Sequence, residues 1–216
     1  MSYCRLAPTD PVHRAYHDEE YGFPVADDRI LFERLSLEIF QAGLSWRLIL
    51  TKRPHFARAF ADFDIARVAA FDETDVGRLL ADAAIIRNRR KIEAVIANAR
   101  ILRALGVETA TPGLAGESGS GGDERVGLGA GPAGLDCHRV SSSFAGWLAA
   151  HHPRSEAAWL KLFRGTFRFM GPEVVREFLL SIGYLAGAHD DDCPVQARIL
   201  GVAPPWSTAT GEGPSG

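Results

Sequence analysis

The sequence predicts an all-α fold. Apolar residues recur at helical spacing in most segments, residues that start and stop helices bracket those segments, and no convincing strand ladder is seen. The chain has 216 residues, 46% hydrophobic and 24% charged, which is enough for one sizeable core or for two small, tightly joined lobes. We expect about eight helices. They form a single unit over residues 1–202, with a loose tail at residues 203–216.

The first strong helical pattern is the segment DDRILFERLSLEIFQAG. Asp27 or Asp28 can cap its N-terminus, Gly43 ends it, and apolar residues recur at one-turn spacing. The recurring residues are Leu31, Leu35, Ile39 and Ala42. Glu38 is the polar exception, because about 100° of rotation per residue places it at the edge of this apolar face.

Two further segments continue the helical pattern. LSWRLILTKRP predicts a helix that starts at a Ser45 cap and ends at Pro54. DETDVGRLLADAAIIRNRRKIEAVIANARILRALG predicts two helices with a strongly basic join around Ile86 and Arg87, the second running to Gly106. The apolar side of that second helix carries Ile92, Val95, Ile96 and Ile101.

A stretch at about residues 107–136 differs in composition from the rest. It is rich in Gly, Ser, Ala and Pro and lacks aromatic residues, so it buries too little apolar surface to offset its ordering entropy. We expect a flexible insertion. Helical patterns then resume in SSSFAGWLAAHH, SEAAWLKLFRG and PEVVREFLLSIGYLAG.

Charge and hydropathy exclude some classes of protein. The net charge is −3 and the pI is about 6.2, which disfavours a nonspecific nucleic-acid binder that relies on overall positive charge but allows a local basic face. No run of about 18 apolar residues and no signal peptide is found. We therefore expect a cytoplasmic protein without a membrane span.

Cysteine and histidine residues occur at both ends of the chain. The three cysteines are an odd number without a secretion signal, which favours thiols or metal ligands over disulfides. Cys4, His17, His189 and Cys193 offer the Cys2His2 set that structural zinc prefers. Their spacing is unlike a zinc finger, so the alternative is a terminal thiol, an exposed histidine and a charged loop. The poorer candidates are His13, Cys137 and His138.

Four motifs in order carry a family resemblance. AYHDEEYGFP, LFERLSLEIFQAGLSW, ADAAIIRNRRKI and FRFMGPEVV resemble the DNA-3-methyladenine glycosylase I family, from Cys4 to about Arg103 and from about Phe144 to Pro194. The resemblance implies a compact helix-hairpin-helix glycosylase-like fold whose N- and C-terminal segments are joined by a structural zinc. The ligands it implies are Cys4, His17, His189 and Cys193. Four protein ligands leave no open position, so this metal would stabilise the fold rather than do chemistry.

The resemblance also implies a base pocket made of Tyr16, Glu38 and Trp46, with Glu38 as the catalytic residue. Alkylation at N3 makes adenine cationic, so an electron-rich ring and a desolvated carboxylate should prefer it to neutral adenine. The implied activity is monofunctional hydrolysis of the N-glycosidic bond of 3-methyladenine in alkylated DNA, with water as nucleophile. Taken separately, the indole is better explained by core packing, the carboxylate by pairing with an arginine or a backbone donor, and Tyr16 equally by packing; only the joint match to the family pattern favours the pocket.

Three positions depart from the family pattern. Leu6 and Tyr21 stand where tryptophans are expected, and His13 replaces an aromatic residue. Each change makes the pocket wall less aromatic, so a related small base such as 3-methylguanine is an alternative substrate. A second alternative is a noncatalytic zinc-containing module that binds damaged DNA or particular DNA structures.

Two segments are candidates for contact with double-stranded DNA. In FRFMGPEVVREF, Gly171 permits a tight turn and Pro172 opens a helix whose amides can face a phosphate, with Arg168 adding charge. The turn at Gly43 and Leu44 is the candidate wedge that fills the space left by an extruded nucleotide, and the alternative is that Leu44 belongs to the core. RNRRK, at residues 87–91, is either a second DNA face or a solvated helix start.

The remaining expectations concern the acidic loop and assembly. Related helix-hairpin-helix enzymes use a catalytic aspartate, but Asp190, Asp191 and Asp192 lie between two proposed ligands, so we interpret them as solvated or metal-supporting carboxylates. We expect a monomer.

Overall fold

The computed structural model describes residues 2–106 and 143–208, and all regular structure in these ranges is helical. The all-α prediction is confirmed. The helices, in chain order, are α1 (Tyr3–Leu6), α2 (Pro11–Glu19), α3 (Asp28–Gln41), α4 (Trp46–Ala59), α5 (Ile65–Ala69), α6 (Glu73–Ala81), α7 (Arg89–Ala104), α8 (Phe144–His151), α9 (Glu156–Thr166), α10 (Pro172–Ser181), α11 (Pro194–Gly201) and α12 (Pro205–Thr208). In these ranges, no helix is both long and apolar enough to cross a membrane.

Helix α3 is the central element, because it packs against α4, α7, α8 and α10. The Asp27 carboxylate caps it by accepting hydrogen bonds from the amides of Arg29 and Ile30, at 2.8 and 3.1 Å. Asp28 instead accepts from the Ala145 amide at 2.9 Å and so ties α3 to the start of α8. Every residue from Arg34 to Phe40 is buried, so Glu38 lies inside the protein rather than at the edge of a face.

The prediction that the helix after Ser45 ends at Pro54 is wrong. Helix α4 contains Pro54 and continues to Ala59. Proline removes one backbone hydrogen bond and crowds the preceding turn. The next turn nevertheless stays helical, because Phe56 is fully buried and its ring centroid lies 4.5 Å from that of Phe40 on α3. Tertiary packing therefore overrides the local signal.

The predicted join between two helices lies between α6 and α7, at residues 82–88. Asp72 and Asp75 form a reciprocal capping box at the start of α6. The Asn88 side chain caps α7 by accepting from the Lys91 amide at 3.2 Å. Both helix starts thus follow from short polar side chains next to an apolar pattern.

Helices α2 and α11 lie outside the helices that the sequence analysis predicted. Both begin with proline, at Pro11 and Pro194, and Asp10 caps α2 by accepting from the Val12 amide at 2.9 Å. A capping residue followed by proline is a recognisable start signal. These helices are short and lie near the two ends of the chain, close in sequence to the four candidate metal ligands.

Helices α9 and α10 form a hairpin joined by residues 167–171. The predicted reason for Gly171 is wrong: its φ is −70°, which any residue adopts, and the left-handed residue of the turn is Phe169, at φ 64°. Asn98 of α7 holds the turn. Its Oδ1 accepts from the Arg168 amide at 2.7 Å and its Nδ2 donates to the Arg168 carbonyl at 3.2 Å.

Two predicted segments fall partly or wholly outside the described residues. The insertion at about residues 107–136 does so entirely. The tail was expected to be loose from residue 203, but Pro204 is buried and α12 follows it. The Trp206 amide donates to the Gly183 carbonyl at 3.3 Å, so residues 204–206 pack on the helical body.

Candidate functional site

A cavity of about 520 Å³ lies between α2, α3, the start of α4, and α10. Tyr16, Glu38 and Trp46, the three residues of the predicted pocket, all line it. A volume of this size falls in the range of small-molecule sites. The three side chains come from three helices, so only the tertiary structure brings them together.

The aromatic part of the wall is formed by tyrosines and one indole. The Tyr16 and Trp46 ring centroids are 5.2 Å apart at 65°, and those of Tyr16 and Tyr21 are 5.7 Å apart at 41°. Tyr16 is buried, and its hydroxyl has no hydrogen-bond partner among the described residues. Burial raises the pKa of Tyr16, and the charge of Glu38 raises it further, so the phenol stays neutral. The Tyr16 O–H is therefore a buried donor without a protein partner among the described residues.

Glu38 is a buried carboxylate, only 4% exposed. No hydrogen bond or ion pair to it is found within residues 2–106 and 143–208. Its pKa is raised well above the ordinary value of 4.5, first by burial and then by the charge of Glu177, while Arg34 lowers it. The Arg34 guanidinium donates to the Glu20 and Ser181 carbonyls, at 3.0 and 2.6 Å, so its hydrogen bonds go elsewhere. A cation in the cavity would stabilise the charged form of Glu38.

Sequence reasoning missed several residues of the wall, and two of them, Tyr3 and Glu177, bear on its chemistry. Tyr3 of α1 stacks edge-on against Tyr21, with centroids 5.4 Å apart. Glu177 of α10 also lines the cavity. Glu177 gave no signal in the sequence, because a glutamate on an amphipathic helix is normally solvated.

The three positions that depart from the family pattern all line the cavity. Leu6 is 43% exposed at the rim. His13 is buried, and its Nδ1 lies 3.3 Å from the Tyr3 hydroxyl. Tyr21 donates a hydrogen bond of 3.0 Å to Glu177 Oε2. The wall at these positions thus combines an exposed aliphatic side chain with hydrogen-bonded rings.

Four potential metal ligands meet beside the cavity. One ligand atom each of Cys4, His17, His189 and Cys193 lies within 4.8 Å of all the others. The Sγ atom of Cys4 is 3.5 Å from His189 Nδ1, and that of Cys193 is 3.6 Å from the same nitrogen. A tetrahedron with metal–sulfur and metal–nitrogen bonds of about 2.3 and 2.0 Å has sulfur–nitrogen edges of about 3.5 Å. The donor set and its spacing therefore fit a four-coordinate metal ion.

The outer ring nitrogens of both histidines are already engaged. His17 Nδ1 lies 2.7 Å from Asp18 Oδ1, which leaves Nε2 facing Cys193 Sγ at 3.7 Å. His189 Nε2 lies 2.8 Å from the Tyr21 carbonyl oxygen, which leaves Nδ1 facing both sulfurs. Such hydrogen bonds fix the ring orientation of metal-binding histidines.

The cluster and the cavity share a wall. Cys4 and Asp190 line the cavity, and the Asp190 amide donates to Cys4 Sγ at 3.3 Å. The Asp190 carboxylate accepts from the Ser2 hydroxyl, whereas Asp191 and Asp192 are exposed. The acidic loop therefore supports the cluster and the N-terminus. Of the poorer candidates, His13 lies outside the cluster, and Cys137 and His138 lie outside the described residues.

The turn after α3 is exposed and tightly held. Gly43 has φ +82°, and Leu44 is 37% exposed. Gln41 Nε2 donates to the Leu44 carbonyl at 3.0 Å. Lys91 Nζ donates to the Ala42 carbonyl at 2.6 Å. An apolar side chain thus projects from a fixed turn beside Trp46 and Ser45, both of which line the cavity.

The basic segment at residues 87–91 divides into different environments. Lys91 is buried, and burial lowers its pKa. Arg89 pairs with Glu73 at 2.7 Å. Arg90 and Arg168 line one surface groove next to Phe169 of the hairpin turn. The segment is therefore neither a uniform solvated helix start nor a uniform basic face.

Fold and site together define an all-helical protein with a partly enclosed cavity of aromatic rings and acids, suited to a flat cationic guest. A cluster of two cysteines and two histidines adjoins one wall of this cavity. The protein also carries an exposed apolar turn at Gly43 and Leu44 and the helical hairpin of α9 and α10.

Comparison with known proteins agrees with this class. The methyladenine glycosylase family matches residues 6–111. DNA-3-methyladenine glycosylase 1 of Escherichia coli (strain K12) is 50% identical over 100 residues, which are 46% of this chain and 54% of that protein. The match thus spans about half the length of that curated relative.

Two solved structures match over most of their length. A 3-methyladenine DNA glycosylase I (TAG) has a TM-score of 0.64 and 31% identity, covering 86% of this chain and 94% of the other. The 3-methyladenine DNA glycosylase I of Staphylococcus aureus, whose structure concerns 3-methyladenine recognition, has a TM-score of 0.66 and 27% identity, covering 90% and 96%. The chain belongs to the DNA-3-methyladenine glycosylase I family.

Proposed function

We propose that this chain is a monofunctional DNA glycosylase that hydrolyses the N-glycosidic bond of 3-methyladenine in alkylated double-stranded DNA. The observation that carries the proposal is the buried, unpaired carboxylate of Glu38 in a cavity walled by Trp46 and Tyr16. The names of the similar proteins support the same activity.

An enzyme of this kind must take the damaged nucleotide out of the duplex. The extruded base enters the cavity, stacks on Trp46 and meets Glu38, whose charge is stabilised by the cationic ring. The Tyr16 hydroxyl offers a hydrogen bond to the edge of the base. The glycosidic bond of a cationic purine is already weak, so binding and orientation supply much of the catalysis, and water is the final nucleophile.

We propose no lyase step, in which an amine of the enzyme would form a Schiff base with the sugar. A Schiff base requires an amine, and the cavity lining within the described residues contains no lysine. The product is an abasic site and a free base.

We further propose that the cluster of Cys4, His17, His189 and Cys193 holds a structural zinc ion. Two thiolates and two imidazoles are a donor set that zinc favours in closed sites. Bound zinc would supply structural stabilisation by tying the N-terminal segment to the segment after α10. The residues of the cavity recognise the base, and the zinc ion is not a reactant.

DNA contacts are proposed at both exposed turns. Gly43 and Leu44 form the wedge, because Leu44 is an exposed apolar side chain on a fixed turn beside the cavity. The hairpin of α9 and α10 acts as a helix-hairpin-helix element, with Gly171 and Pro172 opening α10 towards a phosphate and Arg168 adding charge. The chain acts as a single unit and a monomer, since one copy supplies the cavity and both turns.

The direct test is the identity of the bases released from alkylated DNA. Purified protein incubated with methylated duplex DNA should release free 3-methyladenine, measured by chromatography, and leave alkali-sensitive abasic sites. Release of 3-methylguanine at a comparable rate would indicate the shifted specificity that Leu6, His13 and Tyr21 suggest. Tight binding to alkylated duplex with no base release would contradict the proposal and favour the noncatalytic module.

The hairpin contact is tested by Asn98→Ala. Removing both hydrogen bonds to residue 168 should lower the free energy of unfolding by about 2–3 kcal/mol and weaken binding to undamaged duplex several-fold, because the turn is no longer held. Denaturant unfolding and fluorescence anisotropy measure the two effects. Ser143→Ala is the control, since it removes the N-cap of α8, outside both candidate DNA segments, at a cost of about 1 kcal/mol. Equal DNA affinity in the two variants would argue against the hairpin as an anchor.

A further inference from the structure

Glu177 places a second carboxylate in the cavity that contains Glu38. It lies on α10, half-buried, one turn before Leu180, which also lines the cavity. The Tyr21 hydroxyl donates to Glu177 Oε2 at 3.0 Å, so the carboxylate is held in place from the aromatic wall. Within the described ranges no hydrogen bond or ion pair to its other oxygen is found.

The two carboxylates interact electrostatically. After burial, the charge of Glu177 is the largest cause that raises the pKa of Glu38. It is also the largest cause after burial that raises the pKa of Tyr21. The negative charge of Glu177 therefore disfavours the ionised state of Glu38 in the cavity that they share. The aromatic side chains of the wall are neutral, so they do not compensate the negative charge of the two carboxylates.

The two arginines that line the cavity are paired with other acids. Arg47 at the cavity rim pairs with Asp10 at 2.5 Å, and Arg176 pairs with Glu156 at 3.6 Å. These ion pairs reduce the positive charge available to Glu177. A cationic guest would supply the missing charge, whereas a neutral guest would bury both carboxylates further without compensation.

We infer that Glu177 is a specificity-determining residue, and that with Glu38 it forms a two-carboxylate site selecting nucleobases with a formal positive charge over neutral ones of the same shape. This inference rests on the proposed function and deepens it. Tyr21 is the positioning residue, because its hydroxyl fixes Glu177 while its ring remains 5.7 Å from that of Tyr16.

The test compares two small probes that differ in charge. The 3,9-dimethyladeninium ion is a fixed cation near neutral pH, because methyl groups occupy both nitrogens. The neutral ring 9-methyladenine lacks the N3 methyl group and the charge. Their dissociation constants, measured by tryptophan fluorescence and calorimetry, give a cation-to-neutral affinity ratio for each variant.

Glu177→Gln should lower this ratio roughly tenfold, the effect of one screened charge several ångströms from the guest. The loss should fall on the cation, with 9-methyladenine binding changed less than about twofold. Glu173→Gln removes the same charge from the exposed surface of α10 and should leave the ratio unchanged. Tyr21→Phe keeps the ring and should give a smaller reduction in the same direction.

An unchanged ratio in Glu177→Gln, with the variant folded and 9-methyladenine bound normally, would overturn the inference. If Glu177→Gln does not fold, an unchanged ratio in Tyr21→Phe would overturn it instead. If the wild-type protein releases 3-methyladenine but the substitution leaves the affinity ratio unchanged, only the role of Glu177 is contradicted. A wild-type protein that releases no base and binds neither probe contradicts the proposed function itself.

Discussion

Glu38→Gln is expected to slow the release of 3-methyladenine roughly a hundredfold. A unit charge pair about 4 Å apart is worth about 4 kcal/mol at an effective dielectric constant near 20. If about two-thirds of this acts in the transition state, the loss is about 2.7 kcal/mol, or roughly two powers of ten. Single-turnover release from methylated duplex DNA measures the effect. Affinity for undamaged duplex should not change, because Glu38 is buried away from the exposed turns.

The same substitution has an expected effect of opposite sign on stability. Burial raises the folded-state pKa of Glu38 above its ordinary value of 4.5, so the unfolded state loses this proton first as the pH rises. Glu38 therefore lowers wild-type stability progressively from about pH 4.5 up to its folded pKa. The Gln variant lacks this loss, so its stability relative to wild type should increase between pH 5 and pH 8, as denaturant unfolding would show. Slow release together with reduced stability at pH 8 would indicate misfolding instead.

Cys193→Ser is expected to have the largest effect on stability. Losing one of four ligands should lower the free energy of unfolding by about 4 kcal/mol or more, because metal binding contributes directly to folding. For a chain of this size, that is a fall in Tm of roughly 10 °C. Calorimetry gives the Tm, and elemental analysis should find about one zinc per wild-type chain and much less in the variant.

The third cysteine provides the matched control. Cys137→Ser makes the same chemical change at a cysteine that is not one of the four proposed ligands, and it should leave the zinc content and the Tm unchanged. A chelator should lower the wild-type Tm towards that of Cys193→Ser and have little further effect on the variant. If the wild-type protein contains no metal and its Tm is nevertheless unaffected by a chelator, the proposed stabilising role of zinc is contradicted.

Local signals predicted much of the helical framework. The cap at Asp27 or Asp28 and the stop at Gly43 marked α3, and the join around Ile86 and Arg87 marked the start of α7, because such signals act over a few residues. Pro54 misled the prediction, since the burial of Phe56 against Phe40 stabilises a helical turn after a proline. Helices α2 and α11 were missed although a proline at the first position of each, after an Asp10 cap in α2, is a recognisable start signal.

The chemistry of the site divides in a similar way. The sequence alone supplied the donor types of the metal cluster and, through the family resemblance, the trio of Tyr16, Glu38 and Trp46. These are matters of residue type and order along the chain. It gave no indication of Glu177, whose surroundings on α10 look like those of any solvated glutamate.

What only the tertiary structure decided is which side chains share a space. Glu38 and Glu177 are 139 positions apart in the chain and Cys4 and Cys193 are 189 apart, yet each pair borders the same cavity or cluster. Helical periodicity orders residues over a few turns, whereas burial, pairing and electrostatic coupling depend on how separate helices pack. The sequence therefore determined the helices and the kinds of chemistry available, and packing determined the acidity of the cavity.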